Sequence, residues 1–150
     1  MTDKVNHIDS SREAELNASL ELMHFAYRAF TAGPDRILDG RGLQRVHHRI
    51  LYFVGRHPGI SVNGLLAILA VSKQALNAPL RQLLEMRLVD SQSATADRRV
   101  RELRLTSEGA RLEASLSGSQ RRAMDKVFHG TGEAAEAHWR EVMARIAAPM

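Results

Sequence analysis

The chain has 150 residues, of which 44% are hydrophobic, 25% charged and only 5% aromatic, so it is long enough to bury a core made mainly of aliphatic side chains. It contains no cysteine, which excludes a disulfide framework, thiolate metal sites and a thiol-based redox switch. The formal net charge of +4 favours polyanionic partners but does not identify one.

The N-terminal residues 1–12 are polar and lack the apolar segment of a signal peptide. The longest stretch without a charge, near Ile60 to Ser72, is shorter than the roughly 20 apolar residues that span a bilayer. We therefore expect a cytoplasmic protein that does not contact a membrane.

The first predicted helix begins at Ser10 or Ser11, because Ser11 can cap its N-terminus and acidic residues follow in its first turn. Apolar residues then recur at spacings of three and four, which is typical of an amphipathic helix. We expect Gly33-Pro34 to end this helix. Its apolar stripe consists of Leu16, Leu20, Met23, Tyr27 and Phe30.

Three further helices are predicted in the middle of the chain. The first of them begins after Gly42 and ends at His57-Pro58-Gly59. Ser61 and Ser72 are each placed to cap another helix, the second of which ends near Leu88. Two short helices joined by a three-residue turn are typical of a helix–turn–helix, whose second helix can enter the major groove of DNA.

The second helix of this pair separates apolar from polar residues. Its leucines share one side, while the other side carries amide and guanidinium groups that suit the edges of adenine and guanine. Ser72 and Lys73, at the helix N-terminus, are placed for phosphate contacts. An ordinary solvent-exposed face would show the same pattern. The candidate DNA contacts in this region are Ser61, Ser72, Lys73, Gln74, Asn77, Ala78 and Arg81.

A basic hairpin is predicted directly after this helix, from the polar residues 90–96 and the alternation at 100–105. An arginine at a hairpin tip can enter a narrow minor groove, while neighbouring arginines neutralise phosphates. Helix and hairpin together favour DNA binding over an ordinary exposed face. The hairpin carries Arg98, Arg99, Arg101 and Arg104 against Asp97 and Glu102.

Pro79 lies inside the predicted groove-binding helix. A proline in a helix interior deletes one hydrogen bond and clashes with the preceding turn, which costs about 3 kcal/mol. The sequence therefore predicts a bend between Ala75 and Pro79, with a loose first turn that orders on DNA as the alternative.

Two helices are predicted after the hairpin. Thr106 can cap the first, which continues to Gly130 and has a weak point or bend at residues 115–120. Thr131-Gly132 separates it from the last helix, whose stripe includes Trp139. The first and last helices carry more apolar surface than one winged helix covers. They therefore predict a homodimer, with a monomer whose helices fold back on its own core as the alternative.

The segment from His57 to Gly109 resembles the MarR family of bacterial transcription regulators. The resemblance rests mainly on DRRVRELRLTSEG, which is close to the family's wing signature of Asp-x-Arg, a strand and Leu-Thr-x-x-Gly. The Pro-Gly-x-Ser turn and the Ser-Lys-Gln helix start add weaker support. The sequence departs from the family at Arg87, where glycine is usual, and at Pro79.

The resemblance implies a mainly α fold: a winged helix–turn–helix with an α/β wing hairpin, flanked by N- and C-terminal dimerisation helices. The expected divisions are residues 11–42, 43–105 and 106–148. It also implies an obligate homodimer that reads a pseudo-palindromic operator. Asp97 and Arg99 would shape the wing, with Arg98 or Arg99 near the minor groove and Arg101 among the contacts.

The resemblance further implies a small-molecule effector, an aromatic or amphipathic anion held between the dimer helices and the winged helix. A cationic side chain would pair with its carboxylate while Tyr27 stacks on its ring. For any single candidate, a packing or surface role is the alternative. The candidates are His24, Tyr27, Arg28, His47 and Arg49.

No cofactor or metal is expected. His47 and His48 are adjacent, so in a helix they point about 100° apart and cannot chelate one ion. The sequence also lacks a His-x-x-x-His pair, a phosphate-binding glycine loop and a nucleophile motif, so we expect no enzyme.

We interpret the chain as a sequence-specific DNA-binding transcriptional regulator, specifically a ligand-responsive repressor. The alternative is a winged-helix protein-interaction module without DNA binding, in which Glu85, Asp90 and Asp97 weaken the basic face.

Overall fold

The computed structural model describes residues 9–149, which form two compact units, residues 9–32 and residues 33–149. The described part is mainly helical with one small antiparallel sheet, which confirms the predicted winged helix–turn–helix with helices on both sides. None of its helices is long and apolar enough to cross a membrane. The elements are α1 (Ser10–Asp39), α2 (Arg45–Arg56), β1 (Ile60–Ser61), α3 (Val62–Leu69), α4 (Lys73–Glu85), β2 (Val89–Ser93), β3 (Arg101–Leu105), α5 (Ser107–Thr131) and α6 (Glu133–Ala147).

Hydroxyl side chains cap three helices at the predicted residues. Each hydroxyl oxygen accepts a hydrogen bond from the backbone N–H three residues further on, a group that the helix itself leaves unpaired. The capping residues are Ser61, Ser72 and Thr106, at distances of 3.0, 3.1 and 3.0 Å.

The predicted cap of α1 is wrong by two residues. Asp9, rather than Ser11, accepts the hydrogen bond from the Arg12 N–H, at 2.9 Å. This hydrogen bond lowers the pKa of the Asp9 carboxyl, because it stabilises the charged form.

The predicted end of α1 at Gly33-Pro34 is also wrong, since the helix continues to Asp39. A proline removes one helical hydrogen bond, but the turns that follow it have contacts that offset the loss. Leu38 is buried in the core, and the Asp35 carboxylate accepts charge-assisted hydrogen bonds from Nε and a terminal nitrogen of the Arg45 guanidinium, the shortest at 2.8 Å. This ion pair lowers the pKa of Asp35.

The sheet consists of the predicted hairpin and one additional strand. All its pairs are antiparallel, in the order β1-β3-β2. Leu103, at the centre of β3, lies opposite Ile60 on one side and Ser91 on the other, and it is buried. The two-residue strand β1 was not predicted, because it is too short to show an alternation.

The core of the second unit is aliphatic, as the composition predicts. Helix α2 is central to it, because α2 packs against α3, α4, α5 and β3. The buried apolar residues are Leu38, Leu43, Ile50, Leu51, Val54, Leu65, Leu76, Leu80, Leu83, Leu88, Val89, Leu103, Leu112 and Leu116.

Helix α4 ends at Glu85, three residues before the predicted Leu88, in a Schellman motif. The Leu88 N–H donates to the Leu83 carbonyl at 3.0 Å, and the Arg87 N–H donates to the Leu84 carbonyl at 3.1 Å. Arg87 has a φ of 57°, the left-handed conformation that glycine usually supplies. The departure at this position therefore changes the residue but keeps the turn.

Helix α5 passes through residues 115–120 without a break, while a bend of its axis there stays a prediction. Leu116, Ser117 and Gly118 are all buried, and the Ser117 hydroxyl lies 3.0 Å from Nε2 of His48 on α2. Serine is a poor helix former, but here its side chain contacts α2. Tertiary contacts therefore override the intrinsic preference of this segment.

Candidate nucleic-acid interface

Helix α4 has the two faces that its sequence predicts. Leu76, Leu80 and Leu83 are buried, and they hold the helix against the rest of its unit. The opposite face is open to solvent over the whole length of the helix. The exposed residues of the helix are Lys73, Gln74, Ala75, Asn77, Ala78, Arg81 and the acidic Glu85.

The helix is continuous through Pro79, and its first turn is closed. The Leu76 N–H donates to the Ser72 carbonyl at 3.2 Å, and the Ser72 hydroxyl oxygen caps the Ala75 N–H. The alternative of a loose first turn is therefore wrong, while a bend of the helix axis stays a prediction. Because the Ser72 hydroxyl accepts in this cap, its proton is still available to donate to a phosphate.

Positive charge on the exposed face is not neutralised within the chain. Among residues 9–149, Lys73 and Arg81 form no ion pair. An isolated exposed cation on a helix can pair with a phosphate or a guanine edge without first breaking an internal contact.

The tip of the hairpin, residues 94–100, is shaped by Asp97. Its carboxylate accepts a hydrogen bond from the Arg99 N–H at 2.9 Å, and its carbonyl accepts one from the Val100 N–H at 3.1 Å. The side chains of Arg98 and Arg99 are exposed and have no polar partner in the described part of the chain. Asp97 therefore forms the turn, and the turn presents two available arginines.

Arg101 has a different environment from the two arginines at the tip. Its guanidinium donates to the Ser91 hydroxyl at 3.0 Å, to the Ser93 hydroxyl at 2.9 Å and to the Ser91 carbonyl at 2.8 Å. These three hydrogen bonds link β3 to β2. The side chain thus braces the wing, a role that the sequence alone does not indicate, because it depends on which residues of β2 lie opposite Arg101.

Gln82 borders the polar face of α4, but its side chain points into the unit. Its Oε1 lies 2.9 Å from Nε2 of His47, and its Nε2 donates to the Gly42 carbonyl at 3.3 Å. His47 is only 4% exposed. The imidazole predicted for effector binding therefore lies beneath α4.

The candidate effector residues belong to two different units. His24, Tyr27 and Arg28 belong to the first unit, and His47 and Arg49 belong to the second. The effector site stays a prediction.

Two comparisons with known proteins address the family of the chain. The sequence profile of the MarR family matches residues 41–100. The chain is also 43% identical over 137 residues to the HTH-type transcriptional regulator PetP of Rhodobacter capsulatus, an alignment that covers 91% of this chain and 82% of that protein. The chain belongs to the MarR family. It is a transcriptional regulator rather than an enzyme.

Solved structures of the MarR family share the fold. A crystal structure of the MarR family transcription regulator SP03579 is 16% identical and superposes with a TM-score of 0.76, covering 91% of each chain. A mutant of S. aureus MepR bound to an oligodeoxyribonucleotide is 15% identical, with a TM-score of 0.62, and covers 85% of this chain and 94% of that one. At such identities the likeness shows the fold alone.

No metal-site geometry is present in the part of this MarR family chain that the structure describes. Within residues 9–149, no group of three or more histidine, cysteine, aspartate or glutamate side chains could hold an ion. His48 is instead half-buried against α5, and burial lowers its pKa by disfavouring the imidazolium.

Proposed function

We propose that this MarR family regulator binds double-stranded DNA sequence-specifically as a homodimer, and that it acts as a repressor relieved by a small anionic effector. The observation that carries the proposal is the exposed face of α4 together with the two available arginines at the wing tip. Both are parts of one unit in which α4 packs against β2.

The side chains divide by chemistry into base readers and phosphate binders. Arg81, Gln74 and Asn77 carry the paired donors and acceptors that read guanine and adenine in the major groove, and the Ala78 methyl group suits a thymine methyl. Lys73 and the hydroxyl groups of Ser61 and Ser72 suit phosphates, because they lie at the N-termini of helices.

The wing adds a second group of side chains that contact DNA. Arg98 and Arg99 are placed to enter the minor groove or to neutralise phosphates beside it. In this proposal Asp97 and Arg101 do not touch DNA, since their polar atoms hold the turn and the two strands.

A second copy of the chain is the proposed cover for the exposed apolar residues of the outer helices. On α6, the side chains of Trp139, Val142 and Ile146 are 42%, 55% and 57% exposed. Contiguous apolar surface of this kind marks an interaction site. A twofold dimer would place two copies of α4 about 34 Å apart, one turn of DNA. The exposed apolar residues of α1 are Leu20, Leu22, Met23, Phe25, Tyr27 and Phe30.

The effector part of the proposal rests on the family resemblance. The candidates for pairing with an aromatic carboxylate are His24, Arg28, His47 and Arg49, and Tyr27 is the candidate for stacking on its ring. Its binding would change the separation of the two recognition helices and hence operator affinity, by a coupling of typically 1–3 kcal/mol.

The test is a selection of bound fragments from a random duplex pool with the purified protein, followed by fluorescence anisotropy at several salt concentrations. We expect a pseudo-palindromic sequence to be enriched. Arg81→Ala should weaken binding by about 1–3 kcal/mol and relax the preference at one base step. Arg98→Ala and Arg99→Ala should each reduce the salt slope by roughly 1.

The control is Arg145→Ala, which removes the same charge from α6 and should leave both affinity and base preference unchanged. A protein that enriches no sequence and binds duplex DNA without a salt dependence would overturn the proposal and favour the protein-interaction module.

A further inference from the structure

A chain of hydrogen bonds joins α4 to the start of α2. The Gln44 N–H donates to Nδ1 of His47 at 2.9 Å, so the ring proton of the neutral imidazole is on Nε2. Nε2 then donates to Oε1 of Gln82 at 2.9 Å, and Nε2 of Gln82 donates to the Gly42 carbonyl at 3.3 Å. Every donor in this chain has one acceptor, which fixes the orientation of both side chains.

These hydrogen bonds reach α4 beside the point at which its own backbone hydrogen bonding is interrupted. Pro79 has no N–H, so the hydrogen bond that would join it to the Ala75 carbonyl is missing. Gln82 is on the turn that follows this missing bond. The link to His47 therefore fastens α4 directly after the interruption in its own hydrogen bonding.

The contact between α2 and α4 near Gln82 is not closed by apolar side chains. A concavity of about 240 Å³ lies between α2 and α4, lined by Val46, His47, Ala78, Pro79 and Gln82 together with the loop residues Gly42 and Gln44. Beside this open concavity the contact between the two helices is polar, whereas the leucines of α4 pack in the core. The hydrogen bonds from His47 to Gln82 therefore add a directional constraint to the apolar packing.

We propose that His47 and Gln82 are positioning residues, which set the orientation of the DNA-reading helix α4 on α2 and thereby the base specificity of the protein. This inference rests on the proposed function. It assigns no DNA contact to either side chain. The orientation of Ala78 and Arg81, which lie four residues and one residue before Gln82 on the exposed face, depends on the hydrogen bonds to His47.

Two substitutions at His47 separate the link from the cap of α2. In His47→Asn, the side-chain oxygen can still accept from the Gln44 N–H, but it cannot reach Gln82. In His47→Gln, the amide nitrogen can still donate to Gln82, and the amide oxygen can accept from the Gln44 N–H as a glutamine does in a capping box. Gln82→Leu removes the link from the other side at similar volume.

The experiment measures affinity for the duplex selected with the wild-type protein and for a scrambled duplex of the same length and composition. It is done at a temperature at which circular dichroism shows every variant folded. His47→Asn and Gln82→Leu are each expected to weaken operator binding roughly three- to tenfold, the effect of one hydrogen bond, and the double variant no further. Binding to the scrambled duplex and the salt slope should be unchanged, because no charge is altered.

A role of His47 in the cap of α2 alone would leave both variants with wild-type operator affinity, because both side chains can accept from the Gln44 N–H. We expect instead that only His47→Gln binds the operator like the wild type. His48→Asn is the matched control, since His48 bonds to Ser117 on α5 and not to α4; its operator affinity should be unchanged. A long-range ¹H–¹⁵N spectrum should show the Nε2–H tautomer of His47 in the wild type and in Gln82→Leu, because the Gln44 N–H donates to Nδ1 in both. The Nε2 proton should exchange faster with water in Gln82→Leu, because it has lost its acceptor.

Two failures are distinguishable. If the wild-type protein does not prefer the selected duplex over the scrambled one, the proposed function and this inference both fall. If the wild type has the preference and both His47→Asn and Gln82→Leu retain it in full, this inference alone is overturned.

Discussion

Helices α4 and α6 have similar lengths, 13 and 15 residues, and both carry an apolar stripe, yet they are covered to very different extents. α4 buries three leucines in the core of its own chain. α6, all of which the structure describes, buries none of its residues. It packs against α5, with the ring of Trp139 edge-on to Phe128 at 5.4 Å between centroids, and leaves the rest of its stripe in solvent.

The difference shows what an apolar stripe does and does not predict. It predicts that a face is covered in the working protein, because exposed apolar surface of this extent is unfavourable in water. It does not predict whether the covering atoms belong to the same chain. Side chains of α4 therefore belong to the folding core, whereas those of α6 are available for assembly, and substitutions should separate the two.

The largest expected effect is a loss of stability in the folding core. Gly109 lies in the first turn of α5 and packs against Leu88, which follows α4 in the chain. The Cβ of an alanine at this position would overlap the Leu88 carbonyl. Gly109→Ala should lower the free energy of unfolding by about 3 kcal/mol, measured by urea denaturation. The control is Gly130→Ala in the same helix, where a Cβ meets no atom within 4 Å. An equal effect at both positions would contradict the close approach.

The next effect is on the assembly side. Val142→Asp places a charge on the exposed stripe of α6, so it should weaken self-association by about 2 kcal/mol, or roughly 30-fold, with little change in circular dichroism. Sedimentation velocity over a range of concentrations measures it. Ala144→Asp adds the same charge to the opposite face of α6 and should leave the association unchanged. A wild-type chain that is monomeric at all concentrations would refute the proposed dimer.

A smaller effect distinguishes the bracing arginine from those at the tip. Arg101→Lys keeps the charge but loses the planar group that bonds Ser91 and Ser93, so it should reduce DNA affinity by about 1 kcal/mol without changing the salt slope. Arg104→Lys is the control, because its guanidinium has only a loose ion pair with Glu102, at 3.8 Å. Fluorescence anisotropy that shows equal losses for the two variants would argue against the brace.

The smallest effect concerns His48, at the contact of α2 with α5. Burial lowers the pKa of His48 below its ordinary 6.5, so the unfolded chain binds a proton before the folded one does. The stabilising contribution of the neutral ring is therefore complete above pH 6.5 and is lost as the pH falls through the folded-state pKa. His48→Gln should flatten the pH dependence of the unfolding free energy in that acidic range. An unchanged slope would show that His48 does not contribute to it.

Features of the fold that depend on neighbours in sequence could be predicted. The caps at Ser61, Ser72 and Thr106 were correct because donor and acceptor are three residues apart. The length of α1 could not be predicted, because the Asp35–Arg45 ion pair and the burial of Leu38 sustain the helix beyond Pro34. Those contacts join residues that the helical periodicity does not relate.

In the candidate DNA-binding site, too, the features that depend on neighbours in sequence could be predicted and those that depend on the fold could not. The exposed face of α4 follows from 100° per residue, and the structure places Lys73, Gln74 and Arg81 on it as expected. The inward turn of Gln82 depends on the distance between α2 and α4, and the engagement of Arg101 depends on the register of β2 and β3. Neither quantity is contained in the local pattern.

Pro79 gives α4 one point at which its axis can adjust. It supplies no amide proton, so the hydrogen bond to the Ala75 carbonyl is missing. Buried leucines anchor the helix on both sides of this point, Leu76 before it and Leu80 and Leu83 after it. We therefore expect faster deuterium exchange only for the amides beside the missing bond. The helix can adjust its curvature to the bases at this point while its leucines stay in the core.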